Sequence, residues 1–285
     1  MIERIKKTAA ALSIGAVGVC GARIYSELEG KLTANTPMVP DNVEERINPF
    51  LIMPTAKSII VCLFSYYNGN KKGNLSLYAR GEDYHLVAER KLNALAEILA
   101  ENGFSAKVFC DNGALCDRHL AYLAGLGFVG KNRFLINAEY GTYTFIGYII
   151  TDAELKPDKP ILVDCSNCGR CIKACPGGAL SETGFDAQKC VSYITQKKGE
   201  LTNDEIEAVK RSGSAWGCDI CQIVCPHNEG IRLTEIAQFR ENLIDSLSSD
   251  MAESNREFKK MFANRAFSWR GYEVIKRNLK ITGEE

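Results

Sequence analysis

The chain has 285 residues, 46% of them apolar, enough for one large or two ordinary domains around a buried core, and disorder is excluded as its default state. Its 35 basic and 35 acidic side chains cancel, so no global field draws it to nucleic acid or to a membrane surface, and any polyanion site has to be local. Twelve cysteines do not indicate secretion, because their spacings are those of metal ligands rather than of a disulfide framework. A reducing cytoplasm is the expected compartment.

At the N-terminus, Arg4, Lys6 and Lys7 precede an apolar run, Thr8 to Cys20, of the kind found in signal-peptide cores. The run lacks a convincing small-residue cleavage site and is shorter than the ~20 apolar residues that span a bilayer. It reads as a short amphipathic helix entering a buried strand near Ala16 to Cys20, and no membrane partner is expected. Ser58–Ser65 and Ser105–Cys110 have the length and the β-branched or aromatic content of buried strands. Between them Ala88, Leu92, Leu95 and Leu99 share one helical face, with Asp83 near the start and Gly103 just past the end. A third strand is expected over Thr142–Thr151. Strands alternating with helices predict an α/β domain over residues 1–155. Pro157 and Pro160 mark a boundary, a cysteine-rich module follows over 156–228, and 229–285 reads as helices with a frayed tail, which makes the whole chain α+β. No repeat of 20–50 residues is present.

Cys165-x-x-Cys168-x-x-Cys171-x-x-x-Cys175-Pro176 is the bacterial ferredoxin pattern, in which three close cysteines serve one four-iron cube and the fourth serves its neighbour. A split second set follows: Cys190, then Cys218-x-x-Cys221-x-x-x-Cys225-Pro226. The crossover rule assigns Cys165, Cys168, Cys171 and Cys225 to one 4Fe-4S cluster, and Cys175, Cys190, Cys218 and Cys221 to the other. Zinc also uses short cysteine spacings, but a tetrahedral site has no use for three cysteines at successive three-residue steps. Cys190 stands alone and is the weakest member. Cys20, Cys62 and Cys110 lie in apolar runs and read as small buried hydrophobes, while Cys116 stays ambiguous. Two clusters make a short electron wire, which accounts for a carrier without naming a reaction.

Leu77-Tyr-Ala-Arg-Gly-Glu-Asp-Tyr-His85, Asp111-Asn-Gly, Ala124-Gly-Leu-Gly-Phe-Val-Gly-Lys-Asn132, the eight cysteines and Lys189-Cys-Val-Ser-Tyr-Ile-Thr195 come in the order found in epoxyqueuosine reductases, which the chain resembles over residues 50–280. The resemblance implies a cobalamin enzyme that reduces an epoxide to an alkene in tRNA, fed by the clusters from an external donor such as a flavodoxin or ferredoxin, and acting as a monomer. It places the proton-donating acid at Asp111, followed here by Asn112 where the family has threonine. Read from the residues alone, Asp111 ends a strand where ligand sites gather, and for acid work burial has to raise its pKa from ~3.9. A turn or helix-cap aspartate is the competing reading.

The resemblance also suggests that the loop with Gly125, Gly127, Gly130, Lys131 and Asn132 lines the corrin or substrate pocket, against which stands a plain packing turn. Arg80 is expected to meet a phosphate or a cofactor amide, or else Glu82 and Asp83 serve only helix entry and His85 is an ordinary surface residue. No histidine motif for cobalt is present, so a cofactor without a protein histidine below the metal is implied. Longer family members carry C-terminal helical repeats that help hold tRNA, and this chain stops before them. Arg256 to Lys280, interleaved with Phe258, Phe262, Phe267, Trp269 and Tyr272, offers phosphate contacts and stacking or, as the commoner outcome, a helix pair that buries its aromatics. His227 stands where the family often has tryptophan. Two rival functions remain at this point: a noncatalytic electron carrier, and a related cobalamin reductase acting on another epoxide or on an organohalide.

Overall fold

Ser58–Ser65, eight residues without a charge, form a central strand buried along its whole length in the computed structural model, which describes residues 1–32 and 36–283. In chain order the first part contains α1 (Ile2–Ala11), β1 (Ala16–Gly21), α2 (Val43–Ile47), β2 (Ser58–Ser65), α3 (Tyr84–Glu101), β3 (Ala106–Cys110), α4 (Asp117–Leu123), the short pair β4 (Phe128–Val129) and β5 (Leu135–Ile136), and β6 (Thr144–Thr151). The remainder is helical: α5 (Arg170–Ala174), α6 (Val191–Ile194), α7 (Asn203–Ser212), α8 (Ile220–Ile223), α9 (Asn255–Met261) and α10 (Tyr272–Thr282).

The main sheet has the order β1-β2-β6-β3, and all three pairings are antiparallel. The α+β class therefore stands, whereas the α/β reading of residues 1–155 needs correction. The crossover through α3 does leave β2 and β3 pointing the same way, but β6 enters between them and pairs antiparallel with both. Successive residues of β2 face opposite layers. Ile60, Cys62 and Phe64 pack with Leu92, Leu95 and Leu99 of α3 and with α1. Ile59, Val61 and Leu63 pack with Leu120 and Ala121 of α4. Both faces are covered, so the strand reads as one continuous apolar run.

The N-terminal apolar run is consumed by this sheet: Ile5 and Ala9 of α1 and Val19 of β1 lie in the core. Among the described residues no helix is long and apolar enough to cross a membrane. Helix α3 is capped by Asp83, whose side chain accepts from the His85 amide at 3.0 Å, and Gly103 follows its C-terminus with φ +80°. In the cysteine-rich part α5 and α8 pack together. Helix α7, with a Thr202/Glu205 capping box and a left-handed Gly213 at its end, is the insertion that separates Cys190 from Cys218.

The C-terminal part returns to residues 67–83. The Ser76 amide donates to Trp216 O at 2.9 Å, Leu75 N to Asp245 O at 3.2 Å, Ile244 N to Arg80 O at 3.0 Å and Asp83 N to Asn264 O at 2.7 Å. Leu75 and Ala79, Ala215 and Trp216, and Phe258 and Phe267 share one apolar core, so all three expected segments contribute to it. The expected frayed tail, at 284–285, lies outside the described residues.

Candidate active site

Asp111 follows the last residue of β3 and takes a left-handed backbone, φ +61°, which aspartate tolerates better than most residues. It caps no helix. Helix α4 starts six residues later with Cys116 at its N-cap. The Asp111 carboxylate instead accepts a short hydrogen bond from the Tyr84 hydroxyl and lies 3.7 Å from His85 Nε2. Tyr84 and His85 are the first two residues of α3, and Asp83 Oδ1 sits 2.7 Å from His85 Nδ1. Stacking fixes the group: the His85 ring lies 4.0 Å from that of Tyr84, and Tyr84 stacks at 4.1 Å on Phe145 of β6.

Burial opposes a charged imidazole, but the nearby Asp111 carboxylate and the hydrogen-bonded Asp83 carboxylate outweigh it and push His85 up to about 9. Burial, reinforced by the neighbouring Asp111 charge, holds the Tyr84 phenol well above its ordinary value, so it stays a donor. The side chain of Asp111 is 60% exposed, so the burial expected of an acid is not supplied by the protein alone.

A cavity of about 810 Å³ joins these groups to the cysteine-rich part: Asp111, Tyr84 and His85 line one portion, and Cys175, Cys190, Cys218 and Cys221 another. Cys165, Cys168, Cys171 and Cys225 line a separate small space with Lys131 and His227. The two quartets are those of the crossover rule, Cys190 included. All eight are free thiols. Burial pushes Cys221 well up, followed by the charges of Cys218, Cys190 and Cys175, and Cys225 is raised by burial and then by Cys165, Cys171 and Cys168. Among the described residues no three such groups converge where a single ion would sit. Thiols that share a space at wider spacing suit a four-iron cube better than tetrahedral zinc.

The cavity wall also fits an amide-fringed macrocycle. Asn132 Nδ2 and Thr144 Oγ1 border it, both buried and without a hydrogen-bond partner, and a buried polar atom left unpaired is costly until a ligand satisfies it. The other expected cofactor contacts lie elsewhere. Arg80 is buried and spends its donors inside the fold, Nε to Leu75 O at 2.8 Å and Nη1 to Lys71 O at 2.8 Å and Asp245 Oδ1 at 3.1 Å. A Cβ on Gly127 would run into the carbonyl of Ile136, and one on Gly130 would lie 2.6 Å from the Ile136 side chain. Those glycines serve close packing on β5, and neither lines the cavity. Lys131 pairs with Glu182 beside the Cys165 quartet. Burial makes Cys20, Cys62 and Cys110 inert, pushing the first two up to about 11 and about 12. His227 packs edge-on against Phe128 at 5.4 Å. Sequence reasoning missed His85, although an aspartate two residues before a histidine at a helix start was a usable signal.

Residues 164–228 match the family model described as a 4Fe-4S double cluster binding domain, and residues 46–112 match that of epoxyqueuosine reductase QueG, DUF1730. An epoxyqueuosine reductase from Lactococcus garvieae is 36% identical across 97% of this chain and 84% of its own length. This chain belongs to the epoxyqueuosine reductase family. A solved epoxyqueuosine reductase in complex with an epoxyqueuosine-modified tRNA-Tyr stem loop superposes with a TM-score of 0.87 at 31% identity, over 99% of this chain and 80% of that one. The Bacillus subtilis epoxyqueuosine reductase, solved with its catalytic aspartate loop swung out of the active site, superposes with a TM-score of 0.88 at 30% identity, over 99% of this chain and 80% of that one. Family membership thus brings a double-cluster oxidoreductase scaffold to the cavity described above.

Proposed function

We propose that this chain reduces the epoxide of epoxyqueuosine in a tRNA stem loop to the alkene of queuosine, using cobalamin and two four-iron clusters held by the two cysteine quartets. The observation that carries the reading is the single cavity with Asp111 on one side and Cys175, Cys190, Cys218 and Cys221 on another. A plain electron carrier has no use for a carboxylate, a phenol and an imidazole gathered over so large a space. Residues 1–155 would hold cofactor and substrate and 156–228 the clusters, with 229–285 closing over both. Electrons from a flavodoxin or ferredoxin donor would enter at the Cys165 quartet, which lies outside the cavity.

Turning an epoxide into an alkene and water takes up two electrons and two protons. When bound, the clusters and a reduced corrin cobalt supply those electrons and the nucleophile for the epoxide carbon. The protons are the task of this chain. Asp111 Oδ2 receives the Tyr84 hydroxyl and faces His85, so a proton held on the His85 ring can be passed to the carboxylate, and from it to the departing oxygen. Asp83 fixes Nδ1 of the same ring and thereby aims Nε2 at Asp111. Asn132 Nδ2 and Thr144 Oγ1 are two unpaired polar atoms of the wall available to orient the cofactor. The aspartate loop of the Bacillus subtilis relative supports Asp111 in the acid role.

The test is anaerobic incubation of reduced protein and cobalamin with a stem loop carrying epoxyqueuosine, read by mass of the released nucleoside. Queuosine is the expected product, and its absence overturns the proposal. Asp111→Asn is expected to keep cluster reduction while turnover falls about 10²- to 10⁴-fold, the usual worth of a positioned acid.

A further inference from the structure

The fold leaves one aromatic of the C-terminal basic segment outside its core. Phe258, Phe262, Phe267 and Tyr272 are buried together, as a helix pair hiding its apolar face requires, yet Trp269 is 52% exposed. Its exposure is not slackness. Trp269 sits on a 3-10 turn, Ser268–Arg270, between buried Phe267 and Tyr272. Gly271, at φ +91°, directs the Tyr272 amide onto Asn255 Oδ1 at 2.9 Å, and a Cβ at Gly271 would lie 2.7 Å from that same oxygen. An indole held rigidly in water gives up apolar area that folding normally hides, while binding through it costs little entropy because only two torsions need fixing.

Trp269 borders the same cavity as Asp111. The Arg270 guanidinium lies 3.8 Å from its ring centroid, and Arg270 Nε is buried without a hydrogen-bond partner. Arg118 and Arg133, both exposed, border the cavity as well, and Arg118 Nη1 donates to Arg133 O at 2.6 Å. A flat ring with guanidinium groups around a deep opening is the chemistry that holds single-stranded nucleic acid, where bases stack and cations meet phosphates. An apolar protein partner would leave those guanidinium groups without anionic partners.

We infer that Trp269 is a stacking platform for an unpaired base of the RNA substrate beside the nucleoside that enters the cavity, with Arg270 meeting a flanking phosphate. This rests on the RNA-substrate reading above. It also gives the neutral chain its local polyanion site.

The test uses the full chain loaded with iron and a fluorescently labelled stem loop bearing unmodified guanosine at the reacting position, so that no turnover intervenes, with binding read by anisotropy. Stacking is worth ~1–3 kcal/mol per base, so Trp269→Ala is expected to raise the stem-loop Kd about 5- to 150-fold and Trp269→Phe to restore most of the affinity. Arg270→Gln is expected to lower the slope of log Kd against log salt by roughly 0.7, the loss of one single-strand phosphate contact. Iron content and a thermal melt equal to wild type establish that each variant is folded, and Trp269→Leu, which keeps apolar bulk without a ring and is expected to lose affinity as the alanine variant does, carries the comparison should the alanine variant fail them. Wild type that does not bind the stem loop overturns the RNA reading and the platform with it. Wild type that binds while a folded ring-less variant, Trp269→Ala or Trp269→Leu, binds within twofold of it overturns the platform alone, as does a loss confined to corrin affinity.

Discussion

The charge on His85 follows from its two carboxylate neighbours. Its imidazole is raised from 6.5 to about 9, with burial opposing and the nearby Asp111 and hydrogen-bonded Asp83 carboxylates prevailing. Taken at face value that rise corresponds to ~3.4 kcal/mol of preference for the charged ring, at 1.36 kcal/mol per unit. The side chain is 41% exposed, however, so solvent screening reduces the contribution to about 1–2 kcal/mol. Because the folded value is the higher one, this stabilisation is fully present below pH 6.5 and is lost as pH rises through about 9. The assay is an NMR titration of the imidazole resonances, with three histidines in the chain and His85 assigned by its absence in His85→Gln. Wild-type His85 is expected to titrate at least one unit above 6.5, and Asp111→Asn to remove about one unit of the rise, since Asp111 is one of two supporting partners. A value at or below 6.5, or a rise that Asp111→Asn leaves intact, would refute the proton-holding role.

Three further outcomes follow from the packing and the cysteine geometry. Leu92→Ala removes a fully buried side chain from the face of α3 that meets the sheet and should cost about 2–5 kcal/mol, read as a lowered melting temperature under anaerobic conditions. Cys190→Ala should lower iron from about eight to about four per chain by taking a thiolate from the cavity-side cube, whereas Cys116→Ala should leave iron unchanged; equal iron in both would dismiss Cys190 as a ligand. Asn132→Ala should weaken corrin binding about 2- to 10-fold, the worth of one hydrogen bond, measured from the corrin absorption spectrum, while Lys131→Ala should not change it.

Much of this fold is legible in the sequence. Eight uncharged residues gave β2 its limits because both faces of the strand are buried, and helical spacing with Asp83 gave α3. The third strand begins at Thr144 rather than Thr142 because Thr142 is drawn away: its amide donates to Asn228 Oδ1 at 2.8 Å and its hydroxyl to Gln222 Oε1 at 2.9 Å. Strand order was not readable, since alternation reports direction along the chain and not which strand fills the gap between β2 and β3. The cysteines that spacing groups together line the same space in each case, four at the cavity and four beside Lys131. Of the loop residues Lys131 and Asn132 only Asn132 borders the cavity, because motif membership does not say which way a side chain points. His85 read as an ordinary surface residue because its partner Asp111 lies 26 residues along the chain, on a different element.

The return of the last segment onto residues 67–83 bears on how such a chain is made. Asn74 Nδ2 donates to Leu247 O across 173 residues of sequence, and Arg265 to Arg80 O across 185. Contacts of that span form late, and during synthesis they wait until most of the polypeptide has left the ribosome. Until then Leu75, Ala79 and Trp216 lack the aromatic half of their core. A polypeptide released at residue 228 would keep every cysteine of the two quartets and still present an open apolar seam, so pulse proteolysis of that fragment should cut first between residues 67 and 83.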